Sequence, residues 1–336
     1  MINNITRLRE IQLELLKEFA RVCEAHDLTW YACFGTLLGA MRYEGFLPLD
    51  DDVDVVMPSK DYFELCRHKE WFGEEFFLQT PLDEGFLSIA RLRKNGTTAI
   101  RGDFLEQLRT GGHQGIPIDI IPLDEIPGSG TFRTPTLGRD KRGAVYLKEW
   151  FEPAGTAKFE GVTIRIPAKP RKVLKEVYDD WAWPNGAQRS HMGFWFLDPD
   201  NGYEMYQKRY TGMLDDIDGK KIYLFGAADS LRIWLERFGR RDQVVCTFDN
   251  DPGKWGKKVF DVEVRNPDTI PSLLDENSRL IIVSIWHQEI GRQLERMGIK
   301  DYYVYLDFYL DEKVGNKVVR REEMPGGQMT IPKWDA

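Results

Sequence analysis

The sequence predicts an α/β (α+β) chain of two units, the first built on a mixed sheet and the second on a small parallel one. Three observations predict it. At 336 residues the chain is longer than one average domain. The strand candidates of the first 200 residues carry acids among β-branched neighbours. Beyond residue 215, apolar strand runs and helical runs alternate, as a parallel sheet requires.

Taken in order, Ile5, Leu8, Ile11, Leu15, Phe19 and Val22 recur at spacings of three and four, which predicts an opening amphipathic helix. TWYACF reads as a strand ending at Gly35, followed by a tight turn and the short helix TLLGAMR. VDVVM is the second strand, and Pro58-Ser59 opens another helix. GIPIDIIPL, residues 115–123, is the third, and residues 125–145 read as loop. A strand VTIRIP and a helix around Val173 to Tyr178 lead into an aromatic run with Trp181, Trp183, Phe194, Trp195 and Phe196. From about residue 218 come strand KIYLFGA, helix SLRIWLERFG, strands VVCTFD and LIIVSI, and helix HQEIGRQLERMG, a Rossmann-like order. Domains are therefore expected over 1–200 and 215–310, with a polar tail over 311–336 and no internal repeat.

The composition, 42% hydrophobic and 30% charged, is that of a globular chain. A net charge of -8 argues against a surface made to neutralise nucleic-acid phosphates. Cys23, Cys33, Cys66 and Cys246 show no CxxC spacing and no histidine at ligand spacing, so they read as reduced, buried and cytosolic. The N-terminus lacks the apolar core of a signal peptide, and no apolar run approaches the roughly 20 residues that span a bilayer. The expected location is cytoplasmic, with peripheral contact at the inner membrane face if the acceptor is lipid-linked.

The informative stretch is FGTLLGAMRYEGFLPLDDDVDVVM, residues 34–57. In a strand, alternate side chains share a face, so Asp52 and Asp54 project together while Val53 points to the core. Four aspartates within five residues repel one another without a cation, and paired carboxylates suit Mg²⁺ (or Mn²⁺) shared with substrate phosphates. A solvated turn is the simpler reading of such a cluster. Asp119, flanked by isoleucines in GIPIDII, is the candidate third carboxylate, against the plainer reading of a turn-capping acid. Gly35 and Thr36 form a turn suited to phosphate oxygens. Arg91 and Arg93 share a strand face in ARLRKN, placed to meet a pyrophosphate or merely to protect a sheet edge. His113 joins the substrate-binding candidates, although it and His191 lack a second imidazole and so read more simply as structural histidines.

These residues resemble the LicD family of phosphocholine transferases, which includes the fukutin-related proteins. The resemblance rests on GTLLGAMRYEGFLPLDDDVDVVM, ARLRKNGTT (90–98), HQGIPIDIIPLDEIP (113–127), and FEGVTIRIP with YDDWAWP (159–184), most of the first 190 residues. It implies a nucleotidyltransferase-like fold for the first unit and transfer of a phospho-alcohol from a CDP-linked donor to a cell-surface glycan, releasing CMP. Asp52 and Asp54 match the family's metal pair, Asp119 its second acidic motif, and Arg42 the arginine after the glycine turn. Leu49 departs from the tryptophan usual after Pro48, and Arg91 from a lysine often found there. The implied partners are a CDP-alcohol and an acceptor such as teichoic acid, lipopolysaccharide, capsule or glycolipid, with a homodimer left open.

A choline-like head group calls for an aromatic cage, and Trp30, Tyr31, Trp150, Trp181 and Trp183 offer material, though aromatics usually serve the core. In the second unit YLFGAADS keeps only Gly226 of a dinucleotide-binding fingerprint, and Asp249 stands where an acid would meet ribose. A scaffold role for that unit is the plainer expectation. Two other functions stay open: a CTP-dependent nucleotidyltransferase making an activated donor, and a non-catalytic nucleotide-binding protein.

Overall fold

The computed structural model describes residues 2–48, 50–81, 89–101, 104–110, 112–135, 145–178 and 195–306. The chain divides into two compact units, Met1–Tyr203 and Glu204–Ala336. It is a mixed α/β structure, as the sequence pattern predicts.

The first unit opens on α1 (Ile2–Ala25), which buries Leu8, Ile11, Leu15, Leu16, Phe19 and Val22 along one face. There follow β1 (Tyr31–Ala32), α2 (Phe34–Tyr43), β2 (Asp54–Pro58), α3 (Ser59–Arg67), β3 (Phe76–Gln79), β4 (Ala90–Lys94), β5 (Thr98–Arg101), α4 (Phe104–Thr110), β6 (Pro117–Ile126), β7 (Thr131–Arg133), β8 (Val145–Leu147), β9 (Gly155–Phe159), β10 (Val162–Ile166), α5 (Pro170–Val177) and β11 (Trp195–Asp198). The main sheet runs β1-β2-β6-β4-β3, with β7 on β6 and β8 on β7. β2 and β6 pair in parallel, whereas β1–β2, β4–β6 and β3–β4 are antiparallel. The parallel pair is apolar on both faces: Val55, Val56, Met57, Ile118, Ile120, Ile121 and Leu123 are all buried, as expected of central strands covered on both sides.

Three local readings are corrected. The strand expected over TWYACF shortens to Tyr31–Ala32, and helix α2 has begun by Phe34, so Gly35 and Thr36 lie in its first turn. β2 begins at Asp54, leaving Asp52 in the preceding loop. The pairing nevertheless extends one residue further, since the Asp119 N–H donates to the Val53 carbonyl at 2.9 Å. Finally, β6 runs on to Ile126 and two strands lie within the segment expected as loop. Their cause is apolar: Phe132 and Tyr146 are opposite one another, buried, and both edge onto Phe151.

The β9–β10 hairpin turns through Glu160 and Gly161, both at positive φ (48° and 77°), the geometry of a tight two-residue hairpin turn. That turn steadies the loop after α2. The Phe46 N–H donates to the Glu160 carboxylate at 3.1 Å, and the Glu160 N–H to the Glu44 carbonyl at 2.8 Å.

The second unit comprises α6 (Tyr203–Thr211), β12 (Lys221–Phe225), α7 (Asp229–Phe238), β13 (Val244–Phe248), β14 (Lys258–Val259), β15 (Val262–Arg265), α8 (Ile270–Leu273), β16 (Ser278–Ile282), α9 (His287–Arg296) and β17 (Tyr303–Val304). Its sheet order is β14-β15-β13-β12-β16-β17. β14 is antiparallel to β15 and the other pairings are parallel. Trp234, Leu224, Ile281 and Tyr305 are among the buried residues of its separate core.

Candidate active site

Backbone register brings the acids together. Asp54, at the start of β2, is the direct parallel partner of Asp119 on β6, and Asp119 is the antiparallel partner of Arg91 on β4. Three chemically active side chains therefore stand in a row across three adjacent strands. Arg91 Nε donates to Asp119 Oδ1 at 2.9 Å, with both side chains about a quarter exposed (24% and 28%). Just before β2, Val53 is fully buried while Asp52 and Asp54 are not, so the expected alternation survives even though Asp52 precedes the strand.

The loop before β2 adds two acids. Carboxylate oxygens of Asp50, Asp51 and Asp52 lie within 4.8 Å of one another. Burial, and then the charges of Asp52 and Asp51, push the Asp50 carboxyl up to about 8. Burial also drives Asp54 well above the ordinary carboxylate range, with Asp52, Asp119 and Asp50 adding repulsion. Asp50 Oδ2 is buried without a hydrogen-bond partner. An all-oxygen set of mutually repelling carboxylates is the chemistry of a hard-cation site, so the residues present fit a divalent ion such as Mg²⁺.

Gly35 and Thr36 bound this cluster from the first turn of α2. A Cβ on Gly35 would lie 2.6 Å from Asp50 Oδ2, so the missing side chain is the space the aspartate occupies. Thr36 is buried, and its Oγ1 accepts from the Asp54 N–H at 2.9 Å. The threonine hydroxyl thus fixes the start of β2. Arg42 stands in the last turn of α2.

The structure separates the other candidates. Arg93 is buried, its Nε donating to Gln79 Oε1 and its Nη1 to the Gly115 carbonyl, both at 2.6 Å. Of the two arginines expected to meet a pyrophosphate, Arg91 alone lines the acidic cavity. His113, 9% exposed, stacks on Phe77 and accepts at Nδ1 from the Gly115 N–H at 3.0 Å, while Nε2 lies 2.7 Å from Asn95 Oδ1. Both ring nitrogens are engaged, which fits the structural reading better than substrate contact. Trp30 and Tyr31 are core residues edging onto Phe19 and Phe151, and Trp150 lies beneath the Lys172 ammonium, 5.7 Å from its ring centre. Leu49, Trp181, Trp183, His191 and residues 311–336 fall outside the described residues.

Two contributors went unread in the sequence, both on α1. Arg9 reaches the loop carbonyls of Leu47 at 2.6 Å, Pro48 at 3.1 Å and Asp50 at 2.8 Å. Gln12 Nε2 donates to the Asp51 carbonyl at 2.9 Å. The signal was available: Gln12 is a polar residue set in the apolar stripe of Leu8, Ile11, Leu15 and Leu16, where burial demands a partner. In the second unit the Asp249 carboxylate accepts from the Ala227 N–H at 3.0 Å and the Asp251 N–H at 2.9 Å, and pairs with Lys254 at 2.8 Å. The acid expected at a ribose is hydrogen-bonded to its own loop and to the turn after β12.

Residues 27–169 match a family described as LicD/FKTN/FKRP, nucleotidyltransferase domain. A curated relative, the lipopolysaccharide cholinephosphotransferase LicD of Haemophilus influenzae, is 43% identical over 70 residues, 20% of this chain and 26% of that protein. The chain therefore spans about a quarter of that relative's length. Among solved structures, a Rex-family repressor, RSP, is 17% identical with a TM-score of 0.23, covering 41% of this chain and 62% of that one. RSP with β-NAD⁺ and operator DNA gives 16% identity and a TM-score of 0.22, covering 40% and 67%. Likeness at that level bears no weight for either unit.

Proposed function

From the match of residues 27–169 to the nucleotidyltransferase domain of the LicD family, we propose that the chain is a divalent-cation-dependent phosphotransferase. It moves a phosphocholine-like group from a CDP-linked donor to a hydroxyl of a cell-surface glycan and releases CMP. The observation that carries this reading is the row of Asp54, Asp119 and Arg91 across three paired strands, with Asp52 beside it. Carboxylates and a guanidinium at one cavity suit a phosphate flanked by a cation.

Asp52, Asp54 and Asp119 would hold the cation, Mg²⁺ or Mn²⁺, which would supply positive charge at the transferred phosphate. Arg91 fixes Asp119 through Oδ1 and offers its remaining N–H groups to the donor's phosphates. The first-turn N–H groups of α2, around Gly35 and Thr36, have no partner within the helix and favour the same anion. Thr36 keeps Asp54 at the head of β2, so the carboxylate is positioned before substrate arrives.

The test is to incubate the protein with Mg²⁺, a panel of CDP-alcohols and glycan acceptors, and to quantify CMP. Acceptor-stimulated CMP is expected, lowered at least about 100-fold in Asp52→Asn, Asp54→Asn and Asp119→Asn, the scale on which single electrostatic groups act. Full activity in all three variants would sink the cation site. Pyrophosphate made from CTP, in place of CMP, would reassign the chain to nucleotidyl transfer.

A further inference from the structure

Gln12 is 2% exposed, and its Oε1 is buried without a hydrogen-bond partner. Its orientation is set by its other end: Nε2 donates to the Asp51 carbonyl at 2.9 Å and lies 3.5 Å from the Pro117 carbonyl. Turning the amide over would press oxygen against two carbonyl oxygens, so Oε1 is the free acceptor. Gln12 lines the same cavity as Asp51, Asp52, Arg91 and Asp119, a space of about 30 Å³. That space admits an ordered water beside the carboxylates. A buried acceptor with no donor costs about 1–3 kcal/mol, and a core position on α1 would be filled more stably by leucine unless the oxygen is used.

We propose that Gln12 Oε1 is an outer-shell acceptor for the hydration shell of a divalent cation seated at Asp52 and Asp119. The inference rests on the cation reading above and adds a residue to it. The carboxylates carry the charge, while Gln12 orients a water that links the ion to helix α1, as neutral groups around metal sites orient their ligands. No charge is added to a cavity already crowded with carboxylates.

The probe is Mn²⁺ alone, titrated into the full chain and followed by the loss of the free-ion paramagnetic resonance signal. Wild type, Asp52→Asn, Gln12→Met and Gln12→Glu are compared. Both Gln12 variants lose the amide's bond to the Asp51 carbonyl, but only methionine loses the oxygen. The expected result is about a tenfold weaker Mn²⁺ affinity in Gln12→Met, and affinity at or above wild type in Gln12→Glu. If both variants weaken alike, Gln12 only pins the acidic loop and the proposal is overturned. Wild-type affinity in Gln12→Met overturns it as well. Should Gln12→Met not fold, a tenfold loss in Gln12→Glu is enough to reject the idea. Undiminished binding in Asp52→Asn, or none in wild type, removes the cation reading itself.

Discussion

His113, a substrate-binding candidate that reads more simply in the sequence as a structural histidine, is engaged at both ring nitrogens within the fold. Burial, with the nearby Arg93 charge, depresses its pKa to about 4, against about 6.5 in an unfolded chain. The folded state thus resists protonation. Between pH 6.5 and 4 the unfolded chain binds the proton and the native one does not, so stability falls as the pH falls through that window, by roughly 3 kcal/mol at most. Denaturant midpoints measured at pH 7.5 and pH 5 are expected to separate for wild type and to draw together in His113→Gln. Equal separation in both would show that folding does not shift the titration of this imidazole. At this scale the sequence was legible for Asp52, Asp54 and Asp119, because acids among β-branched residues announce themselves. It was silent on Asp119 being tied to Arg91, since cross-strand register is a property of three segments together.

The loop before β2 is held by elements remote from it in the chain, and its geometry is set where they converge. Helix α2 passes it so closely that a Cβ on Gly39 would run into the Gly45 carbonyl, which is backbone and cannot swing aside. Gly39→Ala is therefore expected to destabilise the first unit by about 1–3 kcal/mol, the cost of overpacking, read as a lower unfolding midpoint. An unchanged midpoint would mean that the α2–loop contact gives way easily. The helices and strands themselves were readable from periodicity, including α1, β2 and the alternating elements of the second unit. Their ends were not: β1 stops short because helix α2 takes over at Phe34, and β7 and β8 form because Phe132 and Tyr146 bury one another across a pair. Arg9 and Gln12, polar residues of an amphipathic helix, were not legible to amphipathic reading, which attends to the apolar stripe and not to the polar side chains beside and within it.

Over the whole molecule, two cores divide the stabilising energy. Leu15, Phe19, Val55 and Ile120 belong to one, and Trp234, Leu224 and Ile281 to the other. Removing the fully buried Trp234 side chain should cost about 3–5 kcal/mol in the second unit. In calorimetry Trp234→Ala is expected to lower one unfolding transition and leave another in place; a single transition moving as a whole would show that the two cores melt as one. No helix among the described residues is long and apolar enough to cross a membrane.

The pairing of β2 with β6 carries one more implication, this time for the route to the native state. Asp54 and Asp119 come from segments far apart in the chain and become neighbours only when those strands dock in parallel, a non-local event that is slow by topology alone. The chain must press like charges together at that same moment. Whatever neutralises the cluster in the native protein is therefore expected also to lower the barrier at which its central strands first meet.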